Sequence, residues 1–248
     1  MTDLPGPTDH RPYPPPTGPW VMHQRWHDLL FAHWPVPEDV MRALVPRELP
    51  LDTYGGTAWL AVTPFRMSDV RPRYLPALPW LSAFPELNVR TYVTLGGRPG
   101  VYFFSLDAAN PVAVAAARQL YSLPYYTAAM SSTDDGRTIH YRSRRTHAGA
   151  PSAELVGRYR PTGPVFRSTP GSLEYWLTER YCLYTVSARR LPMRAEIHHA
   201  PWPLQPAEAE LDVNTMAAPL GLTLPPAASL LHFARRLDVV VWLPERAR

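Results

Sequence analysis

Lysine is absent from the 248 residues. That absence excludes any mechanism in which a lysine amine forms an imine with a carbonyl substrate. The lone cysteine, Cys182, has no partner for an internal disulfide, and its neighbours Tyr181, Leu183 and Tyr184 place it on a strand as a buried, structural thiol. No apolar run of about 18 residues is present to cross a membrane as a helix. The N-terminal stretch carries acids and prolines where a secretion signal needs a basic flank and an apolar segment, so the chain reads as soluble and cytoplasmic. No glycine-rich phosphate loop joins a strand to a helix, because Gly96-Gly97 reads as a hairpin turn. A Gly-x-Ser-x-Gly nucleophile elbow is also missing.

What is present suffices for a sizeable core: 46% hydrophobic residues, 11% of the chain aromatic. All 25 basic residues are arginines, and they give the net charge of +4. They cluster only briefly, at Arg142, Arg144 and Arg145 and at Arg189 and Arg190. With no reader motif or aromatic-basic stacking signature beside them, no nucleic-acid partner is expected. Residues 1–19 hold seven prolines (Pro5, Pro7, Pro12, Pro14, Pro15, Pro16 and Pro19). They read as an extended or disordered arm outside the fold, leaving residues 20–248 as one domain.

Strands are predicted at Val21–His33, Ala58–Met67, Leu87–Leu95, Val101–Leu106, Tyr125–Ser131, Arg137–Arg144, Ala153–Tyr159, Tyr181–Ala188, Met193–His198 and Arg236–Trp242. Asn110 followed by Pro111 opens the clearest helix, VAVAAARQLY, with Val112, Ala115, Ala116 and Leu120 as its packing face. Shorter helices are expected after Pro37 and over Ser172–Thr178. Many short strands and few helices predict a mainly β protein, closed or nearly closed, with helices laid outside.

The segments VPRELPLDTYGGTAWLAVTPFRM, FPELNVRTYV, GVYFFSLDAANPVAVAAARQLYSLPYYTAAM, LTERYCLY and HHAPWPL resemble the YqjF-like family, within the acetoacetate decarboxylase-like superfamily. That resemblance covers nearly everything after the arm. It implies a cone-shaped antiparallel β-barrel enclosing a ligand pocket. In the superfamily's decarboxylases a strand glutamate precedes a helical arginine and then a Pro-Lys-Lys motif whose first lysine forms the imine. Here Glu86 and Arg118 match the first two, and Pro124-Tyr125-Tyr126 stands where Pro-Lys-Lys would be. A phenol with a pKa near 10 supplies no nucleophilic amine, so the family's imine chemistry is excluded. The N-terminal amine is the one formal substitute.

By this resemblance Glu86 is the candidate acid or base, and Tyr125 a hydroxyl donor to a carbonyl or enolate oxygen. Asn88 and Arg90 share a strand face with Glu86 and join it as binding candidates. Alternation sends Tyr125 and Tyr126 to opposite faces; Tyr125 is the better placed, and Tyr126 is kept as a binding candidate. Arg25 offers a fork for a carboxylate, which implies an anionic organic ligand, and His27 shares its face. No histidine spacing matches a metal site: His23 and His27, four apart on a strand, stand about 13 Å from each other. Neither metal nor cofactor is expected. Exposed aromatics with a flat barrel edge would favour a homodimer.

Overall fold

The computed structural model describes residues 4–247. Its strands are β1 (Met22–Val36), β2 (Ala58–Pro72), β3 (Phe84–Leu95), β4 (Arg98–Ala108), β5 (Tyr125–Asp134), β6 (Ile139–Arg145), β7 (Glu154–Pro161), β8 (Cys182–Val186), β9 (Pro192–His199), β10 (Gln205–Asn214), β11 (Leu230–Val241) and β12 (Glu245–Arg246). Three helices, α1 (Glu38–Leu44), α2 (Pro111–Tyr121) and α3 (Leu173–Thr178), accompany them. The N-terminal amine lies outside the described residues.

The sheet closes twice. The order β4-β3-β2-β1-β11-β10-β7-β6-β5 returns to its start through a pairing of β4 with β5, which makes a nine-stranded barrel. The same five strands β4-β3-β2-β1-β11 also close a smaller ring through β8 and β9. Both contacts at β4 are parallel, Leu106–Ala108 with Tyr125–Thr127 and Val101–Tyr102 with Leu183–Tyr184. A parallel neighbour needs a long crossover, and between β4 and β5 that crossover is α2. Asn110 caps the helix by accepting from the backbone N–H groups of Val112 and Ala113, an interaction worth about 1 kcal/mol.

Strands shared by two closures are covered on both faces. Along β3, Leu87, Val89 and Val93 join one core with Leu30, Trp34, Tyr141 and Tyr159, inside the nine-stranded barrel. The other face of the shared strands carries Phe31, Phe65, Tyr92, Phe103 and Val239 into a second core, which Trp202 and α2 complete. Tight packing at the second closure requires glycine at one position. A Cβ on Gly100 would stand 2.6 Å from the Tyr184 ring and 2.7 Å from the Cys182 sulfur. Cys182 is therefore a small buried side chain wedged between β4 and β8, with burial raising its pKa.

Several expectations need correction. The proline-rich arm, expected outside the fold, lies along β8 and β9. Arg11 is buried and donates to the Glu196 carboxylate and the Ile197 carbonyl, and His10 bonds the His199 carbonyl. A proline-rich chain makes few backbone bonds of its own, so its polar anchors come from side chains. The packing face predicted for α2 is the wrong one: Val112 and Leu120 are exposed, whereas Val114 and Tyr121 are buried. Two strands were missed, β10 and β12. The first alternates Ala207, Glu208, Ala209, Glu210, Leu211, a period-two pattern that marks a strand with one wet face.

Candidate functional site

The second closure is incompletely filled. A cavity of about 360 Å³ lies between its strands, with α2 along one side. Most of the wall is apolar, including Trp26, Phe65, Met67, Phe103, Leu183 and Ile197. Val112, Ala116 and Leu120 also border it, and because they are exposed they form its rim toward solvent. The apolar stripe that sequence periodicity assigned to packing is therefore the mouth of the cavity.

Polar groups are a minority of the lining, and β3 supplies three of them. Glu86, Asn88 and Arg90 all face the cavity, as the period of two requires. This is why FPELNVRTYV carries charge on a face that never meets bulk water. The hydroxyl of Tyr125, the first residue of β5, donates to Glu86 Oε2 at 2.9 Å. Burial raises the Glu86 pKa to about 8, opposed by the Tyr125 hydrogen bond and reinforced by the charge of Asp107. Tyr125 is pushed well above 10 by its own burial and by Glu86, so it stays a donor. Two contacts fix this pair. Arg118 on α2 donates to the Tyr125 carbonyl at 2.6 Å, and the buried Tyr141 hydroxyl donates to the Glu86 carbonyl at 2.7 Å.

Arg90 lies further along β3, its guanidinium 5.2 Å from the centre of the Phe31 ring. Five arginines are buried among the described residues: Arg11, Arg90, Arg145, Arg180 and Arg194. Four pair with carboxylates, and Arg90 alone has none. Its Nε also lacks a hydrogen-bond partner. Arg180 lines the same cavity; Nη1 bonds Asp52, and Nη2 has no partner. His199 lines it as well. Its Nδ1 bonds the Ala200 carbonyl, and burial pushes its pKa down to about 3.

Four predicted residues thus meet at one cavity: Glu86, Asn88, Arg90 and Tyr125. The other three do not line it. Arg25 is bound by Asp238 at 2.8 Å and lies 3.8 Å from Asp69, and His27 bonds Ser68. The cause is a phase change in β1. Gln24 and Trp26 face inward, the register with β2 slips by one between His27 and Ala32, and Leu29 then faces inward. Asp28, at φ +52°, sits at that irregularity. Tyr126 points away from Tyr125, with the Arg145 guanidinium 4.2 Å from its ring centre. The sequence does not single out Arg180 or Trp202, and His199 enters it only among the histidines weighed for metal binding. Each is one unremarkable position in a segment remote in sequence from β3, and no spacing joins them.

A sequence model of uncharacterized conserved proteins, DUF2071, matches residues 23–238. The uncharacterized protein YqjF of Bacillus subtilis (strain 168) is 50% identical over 227 residues, covering 92% of this chain and 93% of that protein. Among solved structures, the enduracididine biosynthesis enzyme MppR complexed with pyruvate is similar, with a TM-score of 0.61 and 11% identity over 96% of this chain and 93% of its own. The acetoacetate decarboxylase of Legionella pneumophila also scores 0.61, at 13% identity and the same coverage. These likenesses establish an acetoacetate decarboxylase-like fold.

Proposed function

The chain belongs to the DUF2071 family, and from that membership and the cavity we propose that it takes up a small carbonyl compound and moves a proton on it through Glu86, without an imine. The observation that carries this reading is the buried Glu86 carboxyl group, its pKa raised to about 8, hydrogen-bonded to the Tyr125 phenol in a largely apolar cavity. A group that titrates close to neutral pH can both accept and return a proton. Solved relatives named for pyruvate and acetoacetate act as precedent for carbonyl ligands in this fold. None of their identities to this chain reaches 20%, so the chemistry rests on the residues here.

In the proposed step ionised Glu86 removes a proton from the carbon beside the carbonyl. The C–H electron pair moves onto the carbonyl oxygen as an enolate. Once protonated, Glu86 is a poorer acceptor, which frees the Tyr125 hydroxyl to donate to that oxygen. Return of the proton completes an exchange or isomerisation, and loss of a leaving group at the next carbon would make the reaction a lyase or dehydratase step.

The test needs no knowledge of the natural substrate. A panel of 2-oxo acids and methyl ketones is incubated with the protein in D₂O, and deuterium uptake beside the carbonyl is followed by proton NMR. Glu86→Gln should abolish any protein-dependent exchange. Full exchange in that variant would remove Glu86 from the mechanism. Ligand retention without exchange in the unmodified protein would leave a noncatalytic binding protein.

A further inference from the structure

We propose that Arg90 and Arg180 form a carboxylate-binding subsite at the far end of the cavity from Glu86, so that the ligand is an organic acid whose carboxylate and reacting carbon are separated by an apolar segment. The inference rests on the cavity being a ligand site and adds the class of ligand.

The first ground is electrostatic. A buried guanidinium without a counter-charge is costly, and the other buried arginines all avoid that cost. Arg90 does not, although it faces open space that an anion can enter. The second ground is the set of idle donors around that space. Arg90 Nε, Arg180 Nη2 and Trp202 Nε1 are buried, line the cavity and have no hydrogen-bond partner. They lie close together: Arg90 and Arg180 stand 6.0 and 5.1 Å from the Tyr92 ring centre, and Phe31 contacts both Arg90 and Trp202. Three idle N–H donors on neighbouring cavity-lining residues match what a carboxylate accepts.

The third ground is distance. Glu86 is paired with Ala108 at the α2 end of β3, whereas Arg90 is paired with Phe103 further in. Four residues of strand put about 13 Å between their α-carbons. The carboxylate and carbonyl carbons of a β-oxo acid are two bonds apart, too few to engage both ends. Between the ends Asn88 and Thr63 share the wall with Phe65, Leu106 and Phe103, a mainly apolar lining that suits methylene or aromatic carbon. A monocarboxylate with a medium-length carbon body spans that interval, given the reach of the two side chains.

Calorimetric titration of the full chain with four probes tests this: acetate, octanoate, octanamide and 2-octanone. Octanoate should bind at least ten-fold more tightly than octanamide and far more tightly than acetate. In Arg90→Met the preference for acid over amide should vanish while 2-octanone still binds. Equal affinity for octanoate and octanamide in the unmodified protein overturns the subsite, and that comparison does not depend on the variant folding. If 2-octanone and octanamide bind yet the acid has no advantage, only the subsite fails. If none of the four binds, the cavity reading itself fails.

Discussion

Replacing Glu86 by Gln should stabilise the protein at neutral pH and leave it nearly unchanged in acid. The carboxyl is buried, and its pKa rises from the ordinary 4.5 to about 8 on folding. Below pH 4.5 it is protonated in both folded and unfolded chains. Between those values the folded chain holds a proton that the unfolded chain has released, so folding loses about 1.4 kcal/mol of stability for each pH unit gained. At pH 7 the accumulated loss is about 3 kcal/mol. Glutamine keeps the shape of the protonated acid and can accept the Tyr125 hydrogen bond, but it has no proton to lose. Urea unfolding of both proteins at pH 4.5, 6 and 7.5 reads the difference, provided the m-values agree. Asp107, also raised by burial, is common to both proteins and largely cancels. The variant's advantage should grow from near zero to about 3 kcal/mol at pH 7. An advantage that is constant across pH, or a wild type that gains relative to the variant as pH rises, would refute the neutral buried acid.

Asp107→Asn leaves Arg145 buried after its two bonds of 2.7 and 2.9 Å to Asp107 lose their charge. Unfolding in urea should show a loss of about 3–5 kcal/mol. Gly100→Ala forces a methyl into the Tyr184 ring and Cys182, and the overpacking should cost about 1–3 kcal/mol by the same assay. Tyr126→Phe keeps the ring beside Arg145, so its thermal stability should change by no more than about 0.5 kcal/mol. Its deuterium exchange should also match wild type, whereas Tyr125→Phe slows it. Arg11→Met removes donors to Glu196 and Ile197, yet Glu196 keeps Arg98 and Arg194, so the expected loss is about 1–3 kcal/mol. A free arm would show no loss, and limited proteolysis of the variant should cut before Trp20.

Strand positions were readable wherever turn chemistry or alternation marked them. Gly96-Gly97 separated β3 from β4, and Asn110-Pro111 opened α2. Closure was not readable. Short parallel contacts such as Val101–Leu183 involve a few residues distant in the chain, and their only local trace is Gly100, a glycine inside a strand. The arm was misjudged because its composition describes what its backbone cannot do. Arg11 supplies the missing contacts through its side chain.

The site divides along the same physical line. Glu86, Asn88 and Arg90 share one strand, so local periodicity sufficed to group them once a reason existed to look at Glu86. Arg25 failed because one slip of register near Asp28 reverses which side chains face inward, and a continuous alternating pattern hides such a slip. The structure makes the grouping on β3 harder to dismiss as a surface pattern. A solvated strand face would spread its charge into water, whereas here the same three residues point into a space walled by Trp26, Phe65 and Phe103. Keeping a carboxyl and an unpaired guanidinium there costs stability, and an apolar side chain at either position would remove the cost. A stability penalty at these two cavity-facing positions supports the proposed ligand role, because packing alone gives no reason to place those groups there.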